Sequence, residues 1–405
     1  MRLPWQSGAV SVWKRGFPFY LAKPRSAVEK LRASAARQVW REGSIWKRAV
    51  LVGAMAASWP IVTLFQSAKA GRAIARETGA AFLPSLFKLY AVALTRNVPP
   101  PHYAKYWLVY GPESLPLPDL LIEPDQRTLT KLSQARGAVL QDVQDKARFE
   151  RICRQQGLPC IPTIASFDNG HVTGEQQVNE WPDAVFVKAL TGNRGAGAER
   201  WDRSGSHFVS SNGMKLTGEE LLSGLRRQNC IVQPLVVDCD PLRDLGSVAL
   251  SSLRVITVKG KARATVVAAL FSLADESDAL ISHLGTACGI DVEYGTIIQA
   301  GPARPKEGVT RKPQWDTLVG VSLPFWAETV DLVRKAHYEA FPAFVTLGWD
   351  IALTAAGPVL LETNVSWAVA NHQFRTGPLG RTALGDVIDE LLSTAPDRLS
   401  ANPAT

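Results

Sequence analysis

Apolar residues Val28, Leu31, Ala35 and Val39 recur at helical spacing, which predicts a helix over 26–40 with one buried face. A second helical pattern covers roughly 62–95 and is interrupted near Gly79 and Pro84, so the N-terminal region, residues 1–96, reads as mostly helical. Residues 1–25 mix Pro, Gly, Trp and basic side chains without a sustained period and read as an irregular arm. Residues 97–118 hold six of the 26 prolines and read as a linker laid over a surface. The pattern then changes. Asp142 to Gln156 is amphipathic, with Phe149 and Ile152 inward and Gly157 and Pro159 as stops, and Cys160 to Phe167 reads as a strand. Strands are predicted at 184–188, 206–210, 230–237, 251–258, 263–273, 345–354 and 357–363. Helices are predicted after the capping box Thr217-x-x-Glu220, over 322–341 and near 384–393. This is a mixed α/β or α+β pattern.

Charge sharpens the division. The net +8 is uneven: residues 1–80 carry 14 Lys/Arg against 3 Asp/Glu, or +11, leaving −3 for the rest. Such a segment suits either an anionic surface such as a phospholipid leaflet or a solvated basic tail. No zinc finger or RNP-type aromatic motif accompanies the charge, so nucleic acid is not an expected partner. The uncharged run 49–65, seventeen residues long, is short for a membrane span and contains Gly53, Ser58 and Pro60, which predicts a buried or interfacial segment. Five cysteines without a CxxC pair suit a reducing cytoplasm rather than a disulfide framework or zinc site. With 405 residues, 46% of them hydrophobic, the chain has room for two or three domains.

The densest candidate chemistry lies in GWDIALTAAGPVLLETN, residues 348–364, which reads as a β-hairpin turning at Gly357-Pro358. Strand alternation points Glu362 and Asn364 the same way, and Asp350 can share that face from across the hairpin. Two carboxylates and an amide oxygen form a hard ligand set suited to Mg²⁺. Both acids interrupt apolar runs, where an unpaired charge is costly, and this favours a ligand role over solvated positions. Upstream, Lys188 ends the strand AVFVK and is followed by Gly192, Gly195 and Gly197, a spacing that lets backbone N–H groups approach phosphates. No Gly-Lys-Ser/Thr closes the loop and no apolar helix follows it, so it fits a β-flap better than a Walker A or Rossmann turn.

In order and spacing, QDKARFERICRQQGLPCIP (144–162), FVKALTGNRGAG (186–197), IVQPLV (231–236), SLRVITV (252–258) and the 348–364 hairpin resemble the ATP-grasp superfamily, and within it the sugar-transfer-associated, glutamate-ligase-related branch. The resemblance implies an ATP-grasp fold of two α+β subdomains gripping ATP, one over 119–230 with the glycine flap and one over 231–396 with the metal site. It implies that Lys146 and Lys188 contact ATP, that Gly192, Gly195 and Gly197 close over the triphosphate, and that Gln233, Pro234 and Leu235 form a hinge at the adenine edge. Arg254 and Lys188 would be catalytic, and Asp350, Glu362 and Asn364 would hold one or two Mg²⁺ ions. Read from the residues alone, Lys146 on a charge-rich helix also fits a solvated face, and Arg254 also fits a structural ion pair.

The implied reaction is ATP-dependent ligation of a carboxylate to an amine or another nucleophile through an acyl phosphate, in surface or extracellular polysaccharide production. Phosphotransfer to a sugar or small-molecule hydroxyl, and a non-catalytic nucleotide-binding module at the membrane surface, are the rival readings. His372, Gln373, Arg375 and Arg381, in a polar stretch read as a loop, are the acceptor candidates, with an ordinary surface loop as the alternative. Val365-Ser366-Trp367 after Asn364 and HLGTACGID (283–291) depart from the family pattern where the acceptor should bind. The expected setting is the cytoplasm, at the inner face of the membrane, with a small or glycan-linked carboxylate as partner and peripheral membrane contact through residues 1–80.

Overall fold

The computed structural model describes residues 22–41, 44–111, 114–174, 177–191, 198–274, 285–302 and 314–394. The predicted arm therefore lies almost wholly outside the described residues. Two compact units divide the chain: one comprises 1–137, 343–345 and 368–405, and the other 138–342 and 346–367.

The first unit is helical. Its helices are α1 (Ala27–Arg41), α2 (Ile45–Thr78), α3 (Phe82–Arg96), α4 (Pro100–Tyr110) and α5 (Glu123–Ala135), joined by the later helices Val369–Thr376 and Ala383–Thr394. The break predicted near Gly79 separates α2 from α3, and Gly79 has a φ of +70° that suits glycine. Buried charges in this unit are paired, as their desolvation requires. Arg32 grips Asp125 at 3.0 and 2.6 Å, and the same carboxylate accepts a hydrogen bond from the N–H of Ile122 at the start of α5. Glu29, fully buried on α1, accepts from Arg96 at 2.9 and 3.0 Å.

The stretch 97–118, predicted as a linker, instead contributes to this core. Pro99 and Pro100 stand at the start of α4, where a missing N–H costs nothing. Tyr103, Tyr106 and Trp107 are buried with Ile74, Leu89 and Leu120.

The second unit contains two antiparallel sheets. The first has seven strands in the order β2-β1-β7-β3-β4-β5-β6, comprising β1 (Ala165–Asp168), β2 (His171–Thr173), β3 (Ala184–Ala189), β4 (Glu199–Ser204), β5 (His207–Ser210), β6 (Lys215–Thr217) and β7 (Cys230–Pro234). The helix Gly218–Leu225 opens with the predicted capping box. Thr217 Oγ1 accepts from Glu220 N at 3.3 Å, while the Glu220 carboxylate accepts from Thr217 N at 2.8 Å. Its Leu221 and Leu225 join Phe167, Val185, Trp201 and Phe208 in the core.

The second sheet has six strands in the order β11-β10-β9-β8-β12-β13: β8 (Ser252–Lys259), β9 (Ala264–Leu273), β10 (Thr286–Ile290), β11 (Ile297–Pro302), β12 (Thr346–Thr354) and β13 (Gly357–Asn364). The turn of the last hairpin is Ala355-Ala356 rather than Gly357-Pro358, with Gly357 opening β13 at a φ of +107°. Segment 145–164 ties the two sheets together. Lys146 N donates to Leu190 O just beyond β3, Ile161 N to Leu360 O in β13, and Ile164 N to Val232 O in β7.

Candidate active site

Register builds the site. On neighbouring strands Arg254 (β8) faces Asp350 (β12), and Asp350 faces Glu362 (β13), so the three side chains form one row across the sheet. Gly348 faces Asn364 one step along. The pairing shifts after Asp350, where Ile351 meets Leu360, so Leu361 is an extra residue bulged out of β13. The opposite side of β12 is anchored: the Trp349 indole N–H donates to Thr257 Oγ1 at 2.7 Å, and that hydroxyl lies 2.7 Å from His337 Nδ1. All three residues are fully buried.

The row is rich in opposed charge. Arg254 Nε and Nη2 each donate to a different oxygen of Asp350 at 2.5 Å, a bidentate pair in which the aspartate charge raises the Arg254 pKa. Burial, and then the neighbouring Asp350 charge, raise the Glu362 pKa, while Lys146, Lys188 and Asn364 act against them. Asn364 donates to Glu362 Oε1 at 3.1 Å. Lys146, the first residue of the helix Lys146–Gln155, turns its ammonium inward to 3.7 Å from Glu362 Oε2. The structure thus places the Lys146 ammonium beside Glu362 and not on the solvated face that its charge-rich helix also allowed. A cap explains the turn, because Asp145 breaks the predicted helix in two and its carboxylate accepts from Arg148 N at 3.0 Å.

Lys188 approaches from the other sheet, on β3 opposite Ile231. Burial, with the nearby Lys146 charge, lowers its pKa to about 8, against the pull of Glu362 and Asp350. Three cations and two carboxylates are therefore gathered between the sheets of this unit. Asp350 and Glu362, two like charges held directly opposite, are each balanced by a cation here, and a divalent ion would balance them equally well. With the Asn364 amide oxygen they make a donor set that fits Mg²⁺.

Gln233 is buried, facing Phe186, and its amide donates to Ile161 O at 3.3 Å. Pro234 has no N–H and that of Leu235 is donated to Ala184 O, so neither has an N–H to give a nucleotide. Gly192, Gly195 and Gly197 lie outside the described residues.

The four acceptor candidates belong to the first unit. The predicted loop there is the helix Val369–Thr376 followed by a 3₁₀ turn, Leu379–Arg381. The Gln373 amide is engaged throughout: it donates to Tyr106 Oη and Leu121 O, and accepts from Leu121 N and Leu379 N. His372 is buried with Nδ1 3.2 Å from Ala368 O, Arg375 is half-buried, and Arg381 pairs with Asp119 at 2.7 Å.

No curated protein matches the sequence. Structural similarity reaches an L-amino acid ligase from Bacillus licheniformis, with 12% identity, 62% of this chain, 48% of that one and a TM-score of 0.37, so this chain spans about half of that enzyme's length. It also reaches an N5-carboxyaminoimidazole ribonucleotide synthetase in its ADP complex (14%, 71% and 63%, TM-score 0.39) and a D-alanine-D-alanine ligase from Helicobacter pylori (8%, 62% and 61%, TM-score 0.36). The assignment rests instead on the family model for sugar-transfer-associated ATP-grasp proteins, which matches residues 126–383 and so encloses every strand of both sheets. With that match over more than half its length, the chain belongs to the sugar-transfer-associated ATP-grasp family and has an α+β ATP-grasp fold.

Proposed function

We propose that this protein is an ATP-dependent ligase that activates a carboxylate as an acyl phosphate and passes the acyl group to an amine or another nucleophile. The observation that carries this reading is the row Arg254–Asp350–Glu362 on one sheet, met by Lys188 from the other and by Lys146 from the helix between them. Family membership supports ATP as the nucleotide.

Asp350, Glu362 and Asn364 would hold magnesium, one ion or two, which when bound neutralises phosphate charge. The chain's own side chains do the rest. Lys146 and Lys188 place positive charge beside the phosphates, where burial strengthens the attraction. Arg254 keeps the Asp350 carboxylate in a fixed plane and adds a delocalised cation beside the transferring phosphoryl group. Gly192, Gly195 and Gly197 would cover the triphosphate, and the hinge at Gln233, Pro234 and Leu235 would meet the adenine edge with carbonyl acceptors. A place in surface polysaccharide production is proposed from the family's association with sugar transfer, and the cytoplasmic side of the membrane from the free cysteines and the basic N-terminal segment.

Mg²⁺-ATP turnover with pools of sugar acids and amines tests the reading. Phosphate release that requires both a carboxylate and a nucleophile, and that falls sharply in Glu362→Ala, is expected. A phosphorylated product without free phosphate would replace ligation with phosphotransfer. Turnover equal to wild type in the variant would remove Glu362 from the metal site.

A further inference from the structure

The helix α2 exposes to water a face that is as apolar as the one it buries. Between Met55 and Ile74 its inward face, packed toward α3, buries Met55, Trp59, Thr63, Ser67 and Ile74. Its outward face over the same stretch carries Ile61, Leu64 and Phe65, with Ile61 72% and Phe65 67% exposed. Trp46 and Val50 continue the exposed stripe toward the N-terminus at four-residue and longer helical intervals. Leu83 and Phe87, one turn apart on α3, are exposed as well. Isolated exposed apolar residues need no explanation, but a continuous stripe along one helix does.

Charge says what covers it. After Phe65 the same side of α2 carries Lys69, Arg72 and Arg76, all exposed, and on helical spacing they follow directly from Ile61 and Phe65. The segment 1–80 as a whole carries +11, whereas the remainder is −3. No helix among the described residues is long and apolar enough to cross a membrane. A helix with an apolar stripe, a tryptophan at one end and bases at the other is suited to lie in the headgroup region of an anionic bilayer.

We infer that α2 is a membrane-surface anchor, with Trp46, Val50, Ile61, Leu64 and Phe65 seated among acyl chains and Lys69, Arg72 and Arg76 on anionic headgroups. The anchor is independent of the ligase reading, since none of its residues belongs to the nucleotide site.

Co-sedimentation of the full chain with phosphatidylcholine vesicles, with and without about a third phosphatidylglycerol, tests it. Retention on the anionic vesicles should exceed that on neutral ones by about tenfold or more at low salt and fall as salt rises. The double variant Ile61→Gln/Phe65→Gln should lose most binding to both vesicles. Arg72→Gln/Arg76→Gln should lose about tenfold on anionic vesicles only. Because these side chains are exposed, thermal unfolding should match wild type in both variants. The inference is overturned if wild type is not retained, or if both variants are retained as well as wild type. It is also overturned if light scattering shows a dimer that Ile61→Gln/Phe65→Gln dissociates, which would make the stripe a contact between copies of this chain.

Discussion

Arg254 and Asp350 stand opposite each other on β8 and β12 and are joined by two hydrogen bonds of 2.5 Å. Asp350 is buried, and its other cross-strand neighbour is the carboxylate of Glu362. Removing the guanidinium would leave two adjacent carboxylates with one cation fewer, which makes this pair costly to break from the arginine side. Arg254→Gln should lower stability by about 3–5 kcal/mol, the range for stranding one member of a buried pair. Arg254→Gln/Asp350→Asn should recover more than half of that loss, because no charge is then stranded. Urea unfolding of the four proteins in the cycle measures the coupling. A single variant within about 0.5 kcal/mol of wild type would show that the pair is not what holds Asp350.

Lys188, with its pKa lowered to about 8 mainly by burial, gives the nucleotide reading a proton signature. A triphosphate beside the ammonium favours the charged form and raises that pKa again. At pH 8.5 the free protein holds the proton only part of the time and the complex holds it nearly always, so ATP binding should take up roughly 0.7 proton. Below pH 7 both forms are protonated and the uptake should vanish. Titration calorimetry in buffers of different ionisation enthalpy reads this number directly. In Lys188→Arg the cation persists at every pH, so binding should survive while the uptake at pH 8.5 disappears. Undiminished uptake in that variant would assign the proton elsewhere.

How much of this arrangement is legible in the sequence depends on the scale of the signal. The 348–364 hairpin and the shared face of Asp350, Glu362 and Asn364 follow from period-2 alternation, a pattern repeated over many residues. The bulge at Leu361 does not, since a single unpaired residue leaves no period to detect, yet it occurs next to the Asp350–Glu362 pair. Lys146 shows the same limit. One amphipathic pattern spans 142–156, and nothing in its many charges says which of them turns inward; Asp145 as a cap decides that. The proline count misread 97–118, because prolines at a helix start weigh the same in composition as prolines in a linker. The better signal was Tyr103, Tyr106 and Trp107 at helical spacing. The short strands β10 and β11 carry no alternation strong enough to mark them in the sequence.

Gly348 is required by space rather than by backbone angle. It faces Asn364 across the hairpin, and a Cβ placed on it would meet Trp367 Cβ at 2.5 Å and Ile256 Cδ1 at 3.1 Å. Trp367 is fully buried and the clash is at the root of its side chain, so rotation about χ1 cannot relieve it. Gly348→Ala should therefore cost about 1–3 kcal/mol and displace the segment carrying Asn364. The expected readouts are a lower unfolding midpoint and a weaker Mg²⁺ dependence of ATP binding. Gly357→Ala, at a hairpin position with a φ of +107° and no neighbour within 4 Å, should cost stability through backbone strain without touching the metal dependence. Equal effects of the two substitutions on metal dependence would break the link between Gly348 and Asn364.

Glu123, the first residue of α5, supplies a test of the helical unit by itself. Burial acts to raise its pKa but is outweighed by the hydrogen bond and charge of His102, whose Nδ1 lies 2.6 Å from Oε2, and by Lys105; the pKa falls from 4.5 to about 2. A carboxyl whose folded pKa is depressed contributes stability that is fully present above the unfolded value of 4.5 and is lost as pH falls toward 2. Because the side chain is one-third exposed, solvent screening reduces the contribution to on the order of 1 kcal/mol. Wild type should therefore exceed Glu123→Gln in unfolding free energy by about that amount at pH 5, and the gap should shrink to roughly a quarter of it by pH 2.5. Denaturant titrations at several pH values across this window measure it. A gap that stays constant down to pH 2.5 would mean that Glu123 acts through packing, not through its charge on His102 and Lys105.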